Sequence, residues 1–214
     1  MKILNKLAVL VVAATGFVAT GTVGAQQQDP QELVKRISEE VLETAKQDKG
    51  IQGGNQRRVL EVVEEKILPH VDFERMTQLA AARYWNQASP EQKKQLVTEF
   101  RSLLVYTYSG AISQIRDQRL QFRPMLGNPA EGEVEVRSQV LQARGEPIQL
   151  NYRLEKSGDS WKIYDMNVLG AWLVETYKGN FASEISKGGV DGLIKTLTER
   201  NQKLAENAQR GKGS

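Results

Sequence analysis

Between residues 118 and 169 the apolar side chains of this 214-residue chain recur at every second position, while on both sides of that block they recur at every third or fourth. A two-residue period belongs to strands with one buried face and a 3.6-residue period to helices, so the order helices, sheet, helices follows directly. Leu120, Phe122 and Leu126 alternate with Gln121, Arg123 and Met125. Val134, Val136 and Val140 alternate with Glu133, Glu135, Arg137 and Gln139. Ile148, Leu150, Tyr152 and Leu154 alternate with Gln149, Asn151, Arg153 and Glu155. Trp161 and Ile163 start a fourth strand, where parity then shifts to Tyr164, Met166 and Val168. Such a shift predicts a bulge or a strand covered on both faces. Turn residues fill 127–132, 144–147 and 157–159. Connections this short join antiparallel neighbours, which gives a four-stranded meander in an α+β fold.

The first helical block spans 29–117. Asp29-Pro30-Gln31-Glu32 opens a helix with a cap, an N1 proline and a capping-box acid. Leu33, Ile37, Val41 and Ala45 form its stripe, and the Gly-rich 49–55 reads as a loop. A second helix carries Val59, Val62, Val63 and Ile67 and ends at Pro69. A third starts after Asp72 with Phe73, Met76, Leu79 and Ala80 inward. Ser89-Pro90-Glu91-Gln92 repeats the capping signature and opens the longest helix, expected to reach Ile115 or Asp117. That helix is apolar over most of its girth, so it is buried on several sides or faces something apolar that is not protein. The second helical block, 170–206, carries Trp172, Tyr177, Phe181 and Ile185, breaks at 187–189, and resumes after Asp191.

The first 25 residues read as an export signal. Lys2 and Lys6 precede the apolar run from Leu7, and Val23-Gly24-Ala25 offers small residues for cleavage before Gln26. The rival reading, an uncleaved anchor, meets a run interrupted by Thr15, Gly16, Thr20, Gly21, Thr22 and Gly24, where a span needs about 20 apolar residues. With no cysteine at the cut, no lipid anchor is expected. The mature chain is read as one domain over 26–206 with a disordered tail at 207–214, soluble in the periplasm. Removing two lysines from 29 Lys+Arg leaves 27 against 26 Asp+Glu, a net charge of +1. A nucleic-acid binder needs a basic excess, so none is expected as a partner.

Little in the chain suits catalysis. His70 is the only histidine, it follows Pro69 on a loop, and no Gly-x-Ser-x-Gly elbow exists. One histidine and no cysteine leave no metal site in prospect. Asp165 lies among Trp161, Ile163, Tyr164 and Met166, where an unpaired charge is costly; the stronger reading is a carboxylate tied to a helix N-terminus or an arginine. Arg116, Arg119 and Arg123 cluster between the long helix and the first strand. A solvated cluster is the default there, and a phosphate (head-group) contact the sharper alternative.

The stretch ILPHVDFERMTQLAAARYWNQASPEQKKQLVTEFRSLLVYTYSGAI, with WKIYDMNVLGAWLVETYKGNF and GGVDGLIKTL downstream, resembles the MlaC or toluene-tolerance family. The resemblance runs from Gln31 to Lys203 and lies in the order and spacing of these pieces together. It implies a periplasmic, non-enzymatic phospholipid carrier with no other cofactor, acting as a monomer. Its sheet would be curved and NTF2-like, enclosing an apolar cavity with the helices. It would work near membranes, between an outer-membrane lipoprotein complex and an inner-membrane ABC transporter with an MCE-domain component, in maintaining outer-membrane lipid asymmetry. Two departures stand out. Gly170-Ala171-Trp172 replaces a usual Gly-Val-Ser, and Ala81-Ala82-Arg83 replaces a usual Leu-Gly, which predicts a longer third helix. The expected lipid-lining residues point from the sheet's apolar face and the long helix: Phe100, Leu104, Tyr108, Ile112, Phe122, Val136, Leu150, Tyr152, Ile163 and Met166, with Val168, Leu169 and Trp172 near the mouth. A small NTF2-like enzyme and a periplasmic chaperone or scaffold stand as the alternatives.

Overall fold

A computed structural model describes residues 28–210; the expected signal at 1–25 and the last four residues lie outside them. Helix α1 (Pro30–Gln47) starts where Asp29 accepts from the amides of Gln31 (2.8 Å) and Glu32 (3.0 Å). It is followed by α2 (Lys49–Gln52), α3 (Gln56–Lys66), α4 (Phe73–Ala81) and α5 (Pro90–Tyr108). The expected loop over 49–55 thus holds a helical turn, because Asp48 accepts from Gly50 and Ile51 and Ile51 is buried. At Ser89 the capping box closes in both directions with Gln92.

Two helix ends differ from expectation. The third helix does not run on past Ala81: Ala82 takes φ 50°, ψ −128°, which no helix tolerates, and residues Ala82–Gln87 follow as a 3-10 segment. The long helix ends at Tyr108, short of Ile115, and Ser109–Gln114 tightens into 3-10 turns through Gly110.

The sheet runs in simple order β1 (Arg119–Leu126), β2 (Glu133–Leu141), β3 (Ile148–Ser157), β4 (Ser160–Val168) and β5 (Ala171–Trp172), all antiparallel. The open antiparallel sheet against helices is the expected α+β class, with five strands instead of four. The fifth is only two residues long, too short to leave a periodic signal. It turns back over Leu169 and Gly170, both at positive φ (55° and 89°). The parity shift in β4 is a bulge: Arg153 pairs Asp165 and Leu154 pairs Ile163, so Tyr164 is the extra residue. The bulge returns Met166 and Val168 to the face of Trp161 and Ile163, while Asp165 turns to the other. A second irregularity between Arg123 and Leu126 reverses the expected pattern at the end of β1. Met125 packs inward and Leu126 is exposed.

Helix α6 (Leu173–Arg210) extends four residues beyond the expected end and is interrupted at Gly189 (φ 68°, ψ −170°), where the Lys187-Gly188-Gly189 break was expected. Asp191 accepts from the Gln92 side chain (2.7 Å), tying the second leg of α6 to the start of α5. Val71 bridges Ile163 on the free edge of β4, and the Asp72 amide donates to the Ile163 carbonyl (2.8 Å). That edge is therefore covered at both ends, by Val71 and by β5.

Candidate functional site: an apolar strip between three packed clusters

A domain of this size ordinarily buries one contiguous core. Here the buried apolar residues fall into three groups. The first joins α4, α5 and α6 around Met76, Leu96, Phe100, Leu103, Leu104, Tyr177, Phe181 and Leu193. The second joins the N-terminal half of α1 to the sheet through Leu33, Val34, Ile37, Val136, Tyr152, Leu154, Trp161 and Ile163. The third joins the C-terminal half of α1 to α2 and α3 through Val41, Ala45, Ile51, Val59, Val62 and Ile112.

The side chains between these groups are apolar and only half-buried. Val71 and Met166 touch both the first and the second group. Phe122, Met125 and Leu150 border the second from the sheet; Val168, Leu79 and Tyr84 border the first; Leu68, Val105 and Ile115 border the third. Each of these side chains leaves part of its apolar surface uncovered by the chain, and the row they make between the groups is the candidate strip. Leaving such surface in water costs about 25 cal/mol per Å², so an uncovered strip beside a packed core marks a place for an apolar ligand.

The bulge at Tyr164 builds this strip, because without it Met166 would point to the opposite face. Its cost is Asp165, driven into the interior at 1% exposure. The carboxylate is satisfied there: it accepts from the amides of Met166 (2.8 Å) and Val174 (3.0 Å) and from Arg153 (3.3 Å). Both partners foreseen for it, a helix N-terminus and an arginine, are present. Burial pushes the Asp165 carboxyl above its usual value, against the pull of those amides and of Arg153. The Arg153 guanidinium also stacks on Trp172, 3.9 Å from the ring centre, so the bulge, β5 and the start of α6 form one assembly.

The predicted lining residues divide by position. Leu150, Met166, Phe122 and Val168 border the strip. Val136 and Ile163 lie just beneath it within the sheet group, as does Tyr152. The Tyr152 hydroxyl is held between Ser38 and Ser138, and burial pushes its pKa above the usual phenol value, against the pull of those two serines. Phe100 is fully buried edge-on to Tyr177 (4.9 Å) and Phe181 (5.0 Å), and Leu104 shares that packed group. Ile112 belongs to the third group. Tyr108 and Leu169 are exposed, Leu169 at 72% on the β4–β5 turn, and Trp172 is half-buried. Arg119 and Arg123 stand on the sheet face opposite the strip, and Arg116 folds back on the carbonyls of Ser113 (2.9 Å) and Ile115 (2.7 Å). Val71, Leu68, Leu79, Tyr84 and Val105 also border the groups and stand outside the expected lining set, although Leu79 and Val105 lie on apolar helix faces. Val71, between His70 and the Asp72 cap, belongs to no periodic run; a lone valine carries no signal of the bridge it makes to β4.

His70 is half-buried at the end of a 3-10 turn, and its basicity is lowered by burial first and then by Arg36 and Lys162. Among the described residues no three His, Asp or Glu side chains gather as metal ligands, and no helix is long and apolar enough to cross a membrane.

A family model described as MlaC protein matches residues 35–199. The intermembrane phospholipid transport system binding protein MlaC of Haemophilus influenzae is 26% identical over 196 residues, covering 89% of this chain and 90% of that protein. A toluene tolerance protein of Pseudomonas putida is 23% identical over 171 residues, 79% of each chain. Among solved structures, the phospholipid-binding protein of Ralstonia solanacearum, in complex with a phospholipid, is 47% identical with a TM-score of 0.79. The match covers 83% of this chain and 99% of that one.

Proposed function

The chain belongs to the MlaC family, and on that premise we propose that it binds a phospholipid by its acyl chains and carries it through the periplasm. The observation that carries this reading is the division of the apolar core, with half-buried Met166 and Val71 between two packed groups. The phospholipid in the structure of the Ralstonia relative supports it. Two tails of about 14 methylenes each carry on the order of 20 kcal/mol of hydrophobic penalty in water, at about 0.8 kcal/mol per methylene. A soluble carrier meets that demand with apolar surface and needs no catalytic group. In this reading Leu150, Met166, Phe122, Val168, Val71 and Val105 touch the tails, the head group stays in water, and the cleaved signal at 1–25 delivers the protein to the periplasm. There it exchanges lipid with an outer-membrane lipoprotein complex and an inner-membrane transporter, in the service of outer-membrane lipid asymmetry.

Native mass spectrometry of the purified exported protein tests this. A protein-plus-lipid mass that separates on denaturation into bare protein and two-chain phospholipid is the expected result. Bare protein throughout, with no uptake from added phospholipid vesicles, contradicts it.

A further inference from the structure

The sheet face turned away from the strip carries an arrangement that stability does not explain. Arg123 on β1 stands directly opposite Arg137 on β2. Like charges facing each other across an antiparallel pair destabilise it. Arg119 lies on the same face of β1, and both β1 arginines are exposed. Their donors meet only neutral oxygens: Arg123 reaches the Gln139 side chain (2.7 Å), and Arg137 reaches the Pro124 carbonyl through Nε (3.0 Å) and Nη2 (2.9 Å). Among the described residues none of the three has an ion-pair partner. By contrast, Arg153 of β3 pairs with Asp165 of β4, and Arg75 of α4 pairs with Glu155 of β3 and Glu133 of β2. Gln121 and Gln139 join side chains across the same face (2.5 Å). β1 is also the outermost strand, so its free edge adds a row of backbone donors and acceptors.

We propose that the outer face of β1 and β2 is a docking surface for an acidic patch on a partner protein. The three arginines lie toward the Arg119–Leu141 end of this face, and Glu133 and Glu135 hold its other end; a basic patch of this kind steers a partner of the opposite sign and sets its register. Guanidinium forks with unused donors match carboxylates two bonds at a time, and the glutamines supply neutral hydrogen bonds between them. A protein fits this face better than an anionic bilayer does. Glu135 lies in the neighbouring row, Leu126 is the only exposed large apolar side chain of these two strands, and no lysine lies on either. The face lies opposite the apolar strip, so docking here leaves the lipid site untouched.

Fluorescence anisotropy of labelled poly-L-glutamate with the mature protein at low salt is the test. Arg119→Glu/Arg123→Glu should weaken binding by at least about ten-fold, with lipid content unchanged, because two steering contacts reverse sign. Its melting temperature should hold or rise, since position 123 then opposes Arg137 with a carboxylate. A control with the same charge change elsewhere, Lys49→Glu/Arg57→Glu, should bind within about two-fold of wild type, the distance-screened effect of remote charges. No binding by wild type, or equal loss in both variants, overturns the proposal. So does sedimentation with vesicles of equimolar phosphatidylglycerol and phosphatidylethanolamine that the Arg119/Arg123 variant alone loses, which assigns the face to a membrane.

Discussion

The group around Phe100 and the strip around Met166 are built from the same kinds of residue and lie on neighbouring elements, yet only one is closed. Phe100, Tyr177 and Phe181 meet edge to face and exclude water. Met166, Leu150 and Val71 each pack on one side and stay half-open on the other. The difference comes from backbone devices more than from composition. A kink at Gly189 folds α6 back along α5 and fills the first region. At the second, a bulge at Tyr164 turns Met166 to the inner face and a bridge from Val71 to Ile163 places Val71 beside it, where both stay partly open. Apolar content alone therefore does not separate a filled core from a lined site; what lies between the elements does.

Four substitutions sharpen or break that contrast. Phe100→Ala removes a fully buried ring from the closed region and should cost about 3–5 kcal/mol in urea denaturation. A cost near that of an exposed position would mean that the region is not packed as described.

Asp165→Ala removes the carboxylate that holds Arg153 and the first turn of α6, and should cost about 2–3 kcal/mol, between the loss of a cap and the loss of a buried ion pair. Burial raises the folded-state value of this carboxyl. The folded chain thus takes up a proton there before the unfolded chain does, and stability from this group grows as pH falls through that interval and shrinks as pH rises. The melting-temperature gap between wild type and Asp165→Ala should accordingly be wider at pH 4 than at pH 7; a gap that narrows in acid reverses the assigned direction.

Leu150→Trp fills the strip from the sheet side. Because the site is half-open, overpacking should cost no more than about 1–2 kcal/mol, while bound phospholipid falls sharply in extraction and native mass measurements. Full lipid occupancy in this variant would place the tails elsewhere. Ala82→Gly relieves a conformation that L residues rarely adopt and should stabilise the chain by about 1 kcal/mol in thermal melts, with lipid content unchanged.

The sequence makes the fold class legible because strand and helix periods differ so plainly, and it signals the bulge because the parity of β4 changes at Tyr164. Asp165 is legible for the same reason: a carboxylate in an apolar strand needs partners, and few kinds exist. What stays hidden lies in conformations that residue type does not announce. Ala82 at positive φ ends a helix that its sequence would continue, and Pro124 accompanies a register change that exchanges Met125 for Leu126. The site is legible only in part. Alternation picks out the inward face of the sheet, including Leu150 and Met166, but gives the same mark to Val136 and Ile163 beneath the strip. On α5 it marks Phe100, which the kinked α6 covers, because nothing local to α5 records what packs on it.

In the proposed function, acyl chains lie along the strip and not within the closed group. Photo-crosslinking with a phospholipid bearing a diazirine in its acyl chain, followed by peptide mass mapping, tests it directly. The expected adducts fall on Leu150, Met166 and Val71, with none on Phe100 or Phe181. Adducts concentrated on Phe100 and Phe181, with Met166 and Leu150 unlabelled, would contradict the account.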